Sequence, residues 1–571
     1  MFSFHKLKKI WRKYREKNIG SEIYPDEIFL DSSNLPEFDQ FQFEGRLEKP
    51  IAKKTVYLLG ASLFIFALLF LGKIWALQIN QGEDFKAKSE NNRLRHAVIF
   101  AERGVIYDRN KVLLASNELN EKDPDFSKRK YADMEGLAHT LGYVKYPSKD
   151  SAGFYYKEDY TGIDGVEKVY NEALTGANGL RMIETDAYGN VQSNSVIEPP
   201  RHGQSLTLSI DSRVQNTLYE KIKETVNSNG FKGGAGVIMD VNTGEILALT
   251  NYPEYSSQAL SDGVQIEINK YLKSDMTPFL NRATEGLYTP GSIVKPIIAL
   301  GALDKKIIDP MKQILSTGSI SIPNPYDPEK FSIFKDWRVN GWMDMRHAIA
   351  FSCNIYFYEV GGGFEDQKGL GITNIDNYAK MFGLGTPTNV DLPRESNGIV
   401  PSPLWKRETF SGDDWRVGDT YNTAIGQYGF QVTPLQMARV AAAVANYGKL
   451  LTPTILSREI YDANKNPEQI PIAKENFDVV KEGMRLTVTE SSAGELNIPG
   501  LKVAAKTGTA QVGAKNQYIN AWVIGFFPYD KPKYSFAILM ERSPSTNLVG
   551  SVHVMGEVLR WMASSTPEYL K

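Results

Sequence analysis

Three short motifs in this chain combine serine, lysine and asparagine at spacings that can support nucleophilic catalysis. In chain order they are Ser292-x-x-Lys295, Ser352-x-Asn354 and Lys506-Thr507-Gly508. A serine hydroxyl becomes a strong nucleophile when a neighbouring base removes its proton, and an unprotonated lysine amine is one such base. With one cysteine and six histidines in 571 residues, the sequence favours a serine–lysine centre over a thiol or histidine-rich one.

The local context of Ser292 predicts that it is the nucleophile. Other Ser-x-x-Lys motifs begin at Ser3, Ser127 and Ser332. They lie in the N-terminal tail, in a charged run and in a stretch without a helix-start signal, respectively. Ser292 instead follows Pro290-Gly291 and opens an apolar run, so its hydroxyl is predicted at a helix start, where backbone N–H groups stabilise an anion. Lys295 is one turn further on, and its amine is expected over the Ser292 hydroxyl.

The other two motifs lie on predicted elements that can bring them to Ser292. Ser352 comes 60 residues after Ser292, in a stretch, 345–360, whose pattern predicts a helix. Lys506 comes 154 residues after Ser352, in a stretch, 501–512, that is typical of a strand. Because strand side chains alternate between faces, Lys506 and Gly508 are predicted on one side. The missing side chain of Gly508 would let a substrate approach the strand closely.

An uncharged stretch of 18 residues, Thr55–Gly72, precedes all three motifs. A helix of that length is about 27 Å long, close to the thickness of a membrane's hydrocarbon core. We therefore predict one uncleaved transmembrane anchor at residues 55–79. Basic residues are slightly more numerous before the span than after it, which predicts a cytoplasmic N-terminus and an extracytoplasmic catalytic domain. The chain is expected in the cell (inner) membrane as a single-pass protein.

The distribution of apolar, charged, strand-like and helix-like stretches along the chain predicts four regions and an α+β fold. The parts are a cytoplasmic tail at residues 1–54, the anchor at 55–79, a strand-rich, elongated, non-catalytic pedestal at 80–202 and a catalytic domain at 203–571. Strand-like runs around a helical middle predict that the catalytic domain has an antiparallel sheet flanked by helices. The single cysteine, Cys353, excludes an intramolecular disulfide. A net charge of −2 argues against general binding to nucleic acid.

At its three motifs the sequence resembles the penicillin-binding transpeptidases of the monofunctional, membrane-anchored class B. The resemblance covers roughly residues 55–565 and gives residues 80–202 the place of the family's dimerisation-like pedestal. It includes the segments Arg103–Asn110, Thr161–Gly176, Gly398–Arg407 and Gly418–Ala438. Several of these segments are closer to the elongation type, penicillin-binding protein 2, than to the division type.

Two departures from the family pattern limit what the resemblance implies. The family more often has Gly-Gln-Gly where this chain has Gly426-Gln427-Tyr428. Some elongation-type members have a metal-linked Gly-His-Gly element where this chain has Asn340-Gly341-Trp342. We therefore predict no zinc site and no cofactor, and we assign structural roles to Cys353 and Asp336.

The resemblance implies D-Ala-D-Ala transpeptidation through an acyl-serine intermediate. This reaction cross-links peptidoglycan stem peptides in cell-wall synthesis, here in elongation and cell-shape maintenance, and such a site binds penicillin covalently. The implied partners are the donor and acceptor stem peptides, β-lactams, the membrane and a membrane glycosyltransferase of the SEDS/RodA type, with no nucleic acid.

The resemblance also implies a role for each motif residue. The implied catalytic residues are Ser292, Lys295, Ser352, Asn354 and Lys506. The implied substrate-binding residues are Thr507, Gly508 and Thr509. Neutral Lys295 would take the Ser292 proton, and Ser352, backed by the third-motif lysine, would relay a proton to the leaving amine. Asn354 would bind a substrate amide, and the threonine hydroxyls would bind the terminal carboxylate. The backbone N–H groups of Ser292 and Thr509 would form the oxyanion hole.

Two other functions stay open at this point. One is a serine hydrolase on the same site, either a D,D-carboxypeptidase or a β-lactamase, which would pass the acyl group to water instead of to an amine. The other is a non-catalytic, membrane-anchored scaffold for a cell-wall complex. The persistence of a penicillin adduct separates the transferase from the β-lactamase, and any adduct excludes the scaffold with a vestigial site.

Overall fold

The structure, a computed structural model, describes residues 52–570 except residues 152, 186–190, 325–326, 461–463, 465, 514 and 548. The chain forms two compact units, Met1–Asn92 and Arg93–Lys571. The predicted cytoplasmic tail lies outside the described residues apart from residues 52–54.

The first unit contains a long apolar helix, Lys53–Trp75, that continues as a π-helical turn, Ala76–Asn80. Together they span 28 residues, and within the described chain this is the one helix long and apolar enough to cross a membrane. The prediction of a single apolar N-terminal helix is therefore confirmed. The helix Gly82–Arg93 follows.

The second unit combines helices and strands throughout. Its described α-helices are Ala138–Leu141, Gly165–Val169, Asn171–Thr175, Ser212–Asn229, Ser257–Ser261, Gln265–Lys273, Lys295–Asp304, Met345–Ala350, Asn354–Gly362, Ile372–Met381, Pro403–Thr409, Val417–Ala424, Pro434–Ala445, Lys474–Glu490 and Ser551–Ser565. Its described strands are Leu94–Ile99, Ile106–Tyr107, Leu113–Glu118, Lys128–Tyr131, Val144–Lys145, Ser148–Lys149, Tyr155–Lys157, Thr161–Gly162, Gly179–Thr185, Val191–Glu198, Leu206–Thr207, Gly233–Asp240, Ile246–Tyr252, Ile314–Ser316, Ser319–Asn324, Asp327–Lys335, Gly341–Met343, Lys449–Leu450, Glu468–Gln469, Ala504–Val512, Tyr518–Phe527 and Tyr534–Pro544. This mixture confirms the predicted α+β class.

A five-stranded antiparallel sheet forms the centre of the predicted catalytic domain (residues 203–571). The order across the sheet is Ile246–Tyr252, Gly233–Asp240, Tyr534–Pro544, Tyr518–Phe527 and Ala504–Val512. The strand that contains Lys506 is thus an edge strand, paired on one side only, with Lys506 opposite Ile524. An edge strand leaves room beside it for the nucleophile turn and the second motif.

Helices cover both faces of this sheet, and side chains on both faces of its strands are buried. Val237 packs into one hydrophobic cluster with Ile297 and Val440, on the side of the helices Lys295–Asp304 and Pro434–Ala445. The next residue, Ile238, packs into the other cluster, on the side of the helices Ser212–Asn229 and Ser551–Ser565. Successive strand side chains point to opposite faces, so both faces are buried. The predicted sheet flanked by helices is therefore confirmed.

Within the second unit, residues of the predicted pedestal (80–202, here called the pedestal) share structure with the predicted catalytic domain across the predicted boundary. The strand Leu206–Thr207 pairs in parallel with Ile106–Tyr107 and completes a four-stranded sheet that is otherwise built by the pedestal. Asp108 Oδ2 accepts a hydrogen bond of 2.7 Å from Ser212 Oγ. Leu114 and Leu208 belong to the same buried cluster. The two regions therefore share one continuous core at this junction.

Candidate active site

Ser292 lies in a 3₁₀ turn, Gly291–Val294, that leads into the α-helix Lys295–Asp304. We call this turn the nucleophile turn. Its first residue, Gly291, has φ +58°, a left-handed conformation that favours glycine. The Gly291 N–H donates a hydrogen bond of 2.9 Å to the carbonyl oxygen of Gly426. The predicted helix start is thus a tighter turn than an α-helix, and a neighbouring loop fixes its backbone.

The edge strand Ala504–Val512 supports the other side of the nucleophile turn. A Cβ atom on Gly508 would lie 2.9 Å from both the Pro290 carbonyl oxygen and Ile293 Cγ2. The missing side chain of Gly508 therefore makes room for the nucleophile turn, whereas the sequence analysis expected it to make room for a substrate. Lys506 and Gly508 are both buried, in agreement with the prediction that they share one side of the strand.

Lys295 joins the first motif to the second. Its side chain is 0% exposed, and Nζ donates hydrogen bonds of 2.7 Å to both the Ser352 carbonyl oxygen and Asn354 Oδ1. Ser352 Oγ is 3.4 Å from the same nitrogen. Within residues 52–570, no hydrogen bond joins Lys295 Nζ to Ser292 Oγ. The second motif therefore holds the lysine one helical turn from the nucleophile.

Lys506 contacts the same hydroxyl. It is also 0% exposed, and its Nζ donates to Ser352 Oγ at 2.9 Å and to the Thr507 carbonyl oxygen at 2.8 Å. Ser352 Oγ thus lies between the two lysine nitrogens. A hydroxyl can both donate and accept, so this arrangement can move a proton between two amines.

The buried setting favours the neutral form of both lysines. Burial lowers the pKa of Lys295 to about 8, although the negative charge of the nearby Asp336 acts in the opposite direction. Burial, together with the positive charge of Lys295, holds the pKa of Lys506 well below its usual range. Desolvation disfavours a charged amine, and a general base works best when its pKa lies near the working pH. The site therefore has two amines suited to proton transfer.

Ser352 lies at a break between two helices, Met345–Ala350 and Asn354–Gly362. The sequence analysis predicted one helix through residues 345–360, and this prediction is wrong at Ser352. The residue has φ +57°, which costs about 1–2 kcal/mol for a residue with a side chain. The break directs both the carbonyl oxygen and the hydroxyl of Ser352 toward the lysines, which a continuous helix would not allow.

Thr507, in the third motif, and Thr509, directly after it, are more accessible than Lys506. Thr507 is half-buried and Thr509 is exposed. Thr507 Oγ1 lies 2.6 Å from Ser492 Oγ. Sequence reasoning missed Ser492, because it follows the helix Lys474–Glu490 and belongs to no recognisable motif.

The remaining Ser-x-x-Lys serines of the described chain are not part of this cluster. Ser127 Oγ donates to a carboxylate oxygen of Glu102 in the pedestal. Ser332 is an exposed residue of the strand Asp327–Lys335. Ser3 lies outside the described residues. The structure thus brings together Ser292, Lys295, Ser352, Asn354 and Lys506.

Comparison with known families matches both regions of the chain. Residues 234–560, more than half of the chain, match the penicillin-binding protein transpeptidase domain. The chain belongs to this family. Residues 125–208 match the penicillin-binding protein dimerisation domain, as expected for a class B penicillin-binding protein.

The relatives of this penicillin-binding protein include curated elongation-type enzymes. It is 30% identical to the peptidoglycan D,D-transpeptidase MrdA of Acinetobacter baumannii, over 86% of this chain and 85% of that protein. It is 26% identical to MrdA of Haemophilus influenzae, over 89% and 91% of the two chains. The prediction of an elongation-type, class B penicillin-binding protein is therefore confirmed.

Solved structures of similar proteins agree with this assignment. The penicillin-binding protein PBP2 of Helicobacter pylori, solved in complex with MreC, has a TM-score of 0.67 and 28% identity and covers 83% of this chain and 99% of its own. PBP2 of Pseudomonas aeruginosa, in complex with WCK 5153, has a TM-score of 0.67 and 26% identity, covering 84% and 98%.

The structure shows how this penicillin-binding protein accommodates Tyr428 at a position where the family more often has glycine. Tyr428 has φ +60°, which explains why glycine is the more common residue at this position. Its ring packs at centroid distances of 5.8 Å from both Trp405 and Trp415 and stacks on Phe410 at 6.2 Å. Packing of aromatic rings thus offsets the cost of the left-handed backbone.

Proposed function

We propose that this penicillin-binding protein is a serine-type peptidoglycan D,D-transpeptidase that cross-links stem peptides in cell-wall synthesis, with elongation and cell-shape maintenance as its role. The main support is the position of Ser352 Oγ between two buried lysines, 2.9 Å from Lys506 Nζ and 3.4 Å from Lys295 Nζ. A site that is only structural has no need for two buried amines without carboxylate partners. Residues in clefts with strongly perturbed pKa values are typical of catalysis.

In the acylation step, Ser292 Oγ attacks the carbonyl carbon of the penultimate D-Ala. Neutral Lys295 accepts the hydroxyl proton, which requires the lowered pKa described above. The C–N bond to the terminal D-Ala then breaks, and its nitrogen receives a proton through Ser352 from the lysine pair. The acyl group remains on Ser292 as an ester.

In the transfer step, an amine of a second stem peptide attacks this ester and regenerates the Ser292 hydroxyl. The N–H groups of Ser292 and Thr509 form the oxyanion hole, whose loss typically costs about 10²–10³ in rate. Asn354 binds a substrate amide. Thr507 and Thr509 bind the terminal carboxylate, and Gly508 keeps the strand between them close to the nucleophile turn.

Labelling with penicillin tests this function and the assignment of Ser292 together. The full chain in detergent should form a covalent adduct with a fluorescent penicillin, and peptide mapping should locate it on Ser292. Ser292→Ala should form none, while Ser332→Ala, a matched change at an exposed serine, should label like the wild type. An adduct on another serine refutes the site. A rapidly hydrolysed adduct favours the β-lactamase, and no adduct favours the scaffold.

The apolar helix Lys53–Trp75 serves as a single membrane anchor in this proposal. The N-terminus is cytoplasmic and the catalytic domain lies outside the cell (inner) membrane, where peptidoglycan is assembled. A phosphatase reporter fused after Lys571 should be active, because that enzyme folds only outside the cytoplasm. An inactive phosphatase on a stable fusion would contradict this topology.

We also propose membrane partners for this chain. A similar chain, with a TM-score of 0.69 and 25% identity, was solved in a peptidoglycan synthase complex that links polymerisation and cross-linking. A glycosyltransferase of the SEDS/RodA type would supply the glycan strands whose stem peptides this enzyme joins, and the H. pylori complex adds an MreC-like protein. Co-purification with each, from cells that express tagged full-length chain, tests these partners, and its absence under mild detergent would contradict them.

A further inference from the structure

A three-residue segment, Lys335–Trp337, is attached to both sides of the second motif. The Trp337 ring N–H donates to the Phe351 carbonyl oxygen, directly before Ser352, at 3.2 Å. The Tyr358 hydroxyl, in the helix after the motif, donates to the Lys335 carbonyl oxygen at 3.2 Å. Asp336 lies between these two contacts and faces the motif itself. We call this segment the 335–337 clamp.

One carboxylate oxygen of Asp336 receives hydrogen bonds from five donors. It accepts from backbone N–H groups, a thiol, a hydroxyl and an amide at distances of 2.9–3.3 Å, and these donors are Asn354 N, Ile355 N, Cys353 Sγ, Ser316 Oγ and Asn340 Nδ2. The Asp336 carboxylate thus caps the N-terminus of the helix Asn354–Gly362 from another part of the chain. A carboxylate at this position satisfies N–H groups that the helix leaves unpaired.

This contact acts on a strained residue. Ser352 has φ +57°, and such a conformation persists only when surrounding structure holds it. Lys295 Nζ holds the Ser352 carbonyl oxygen at 2.7 Å, and Asp336 holds the N–H groups of the two residues that follow Cys353. Without the second attachment, residues 345–360 could relax toward the continuous helix that their sequence favours.

The groups around Asp336 fit a hydrogen-bonded centre better than a metal site. In the described part of the chain, no group of three His, Cys, Asp or Glu residues is close enough to hold a metal ion. Among the described residues, Cys353 supplies the single thiol that is hydrogen-bonded to this carboxylate oxygen, and no imidazole or second carboxylate is. Ser316 and Asn340 present neutral donors to the carboxylate. A metal would instead require a thiolate and further anionic or imidazole ligands.

We propose that Asp336 is a positioning residue for the transpeptidation reaction: its carboxylate, through hydrogen bonds and without a metal ion, holds the second motif so that Ser352 Oγ lies between Lys295 and Lys506. The inference rests on the proposed function. Asp336 touches neither the nucleophile nor the substrate in this role. It fixes the loop that supplies Ser352 and Asn354, and the 335–337 clamp fixes Asp336.

The experiment compares Asp336 with a matched carboxylate elsewhere in the full chain. Asp391 likewise accepts from two successive backbone N–H groups, Ile455 and Leu456, and from the hydroxyls of Thr454 and Tyr170. Asp336→Ala, Asp336→Asn, Trp337→Phe and Asp391→Ala are each examined in detergent. Three quantities are measured: the rate of acylation by fluorescent penicillin, the thermal midpoint, and the rate at which a maleimide labels Cys353, the single cysteine of the chain.

Asp336→Ala should slow acylation by at least about tenfold, because a misplacement of about 1 Å in a catalytic site can cost about 10²-fold in rate. It should also speed the labelling of the buried Cys353 more than Asp336→Asn does; both variants remove the negative charge that raises the thiol pKa, so the difference between them reports on opening of the second motif. Asp336→Asn keeps one acceptor oxygen and should be impaired less. Asp391→Ala should lower the thermal midpoint while acylation and Cys353 labelling stay at wild-type rates, which separates positioning from general stability.

Wild-type acylation and labelling in Asp336→Ala would overturn the inference. So would an equal slowing in Asp391→Ala, or a stoichiometric zinc in the purified protein whose removal by a chelator slows acylation. If Asp336→Ala does not fold, Asp336→Asn and Trp337→Phe test the inference instead, because their acylation and Cys353 labelling rates are compared with those of Asp391→Ala in the same way. A wild-type protein that forms no adduct refutes the proposed function instead, and Cys353 labelling still tests how Asp336 holds the motif.

Discussion

The pedestal and the active site each bury two cations, in opposite electrostatic settings. Arg103 and Arg129, in the pedestal, are 1% and 0% exposed and share one buried carboxylate, Glu167. The two arginine Nε atoms each lie 2.7 Å from a different oxygen of Glu167. Lys295 and Lys506, in the active site, are equally buried but have no carboxylate hydrogen-bonded to them among the described residues.

The residue types follow these settings. Arginine stays charged in proteins and binds a carboxylate in a planar geometry, so it suits a permanent structural pair. Lysine loses its proton when it is buried without a counter-charge, so it suits proton transfer. The comparison teaches that the partner of a buried cation, more than its burial, decides whether it stabilises the fold or serves the chemistry.

The largest effect is expected from removing the shared carboxylate of the pedestal. Glu167→Gln keeps the shape but leaves Arg103 and Arg129 buried without a counter-charge. Breaking a buried ion pair from one side typically costs about 3–5 kcal/mol of folding free energy. Urea unfolding of the full chain in detergent measures this loss. Glu267→Gln, the same change at an exposed pair with Lys270, should cost less than about 1 kcal/mol.

Acid titration sharpens the same test. Burial alone would raise the pKa of Glu167, but Arg129 and Arg103 lower it below the ordinary value of 4.5. Its stabilising contribution is therefore complete above the unfolded pKa and is lost as the pH falls through the folded pKa. Glu167→Gln should lack this acid-dependent loss. Equal stability of variant and wild type at neutral pH would show that the arginines need no counter-charge.

The second-largest effect is expected from replacing Lys295, a buried lysine without a hydrogen-bonded carboxylate. Lys295→Arg keeps the positive charge but cannot deprotonate, so acylation by penicillin should fall by at least about 10²-fold, the low end for a lost general base. Stopped-flow fluorescence with a labelled penicillin measures the rate. Lys270→Arg, the same change at an exposed lysine, should have no effect. Wild-type acylation in Lys295→Arg would mean that Lys295 is not the base.

The candidate site could be located from the sequence largely because each motif contains its polar groups within three or four residues. The pedestal network could not be predicted, because Glu167 is 64 residues from Arg103 and 38 residues from Arg129, and no local pattern links residues so far apart. In the sequence, Glu167, Arg103 and Arg129 cannot be distinguished from exposed charged residues.

The break at Ser352 was mispredicted for a related reason. The apolar residues around it give the periodicity of one helix, and the periodicity contains no sign of the contacts that interrupt it. Those contacts come from Lys295 and Asp336, which are distant in sequence. Tertiary hydrogen bonds thus override a local helical preference at the position where the chemistry needs a carbonyl and a hydroxyl.

A smaller effect is expected from pH on the wild-type active site. Because neutral Lys295 is the reactive form and its pKa is about 8, acylation should rise with pH through this value. At pH 7 the rate should be about tenfold below its plateau. Burial lowers the pKa of this amine, and the negative charge of Asp336 acts in the opposite direction. Acylation rates from pH 6 to 10 give the apparent pKa, and a value near that of free lysine would contradict the assignment.

The smallest effect is expected from an exposed cation that joins the two regions. Arg394, whose side chain is 52% exposed, lies 3.2 Å from Asp164 of the pedestal and 3.0 Å from Glu285 of the catalytic domain. Water screens an exposed pair, so Arg394→Ala should lower the free energy of unfolding by less than about 1 kcal/mol. Asp164 keeps a hydrogen bond from the Tyr255 hydroxyl, and the shared core across the junction remains.

Acylation should be unchanged in Arg394→Ala, because within the described chain Arg394 forms no hydrogen bond to any of the three motifs. Urea unfolding and penicillin labelling of the same preparation measure both quantities. A loss well above about 1 kcal/mol, comparable with that of Glu167→Gln, would mean that exposure to water does not weaken this pair.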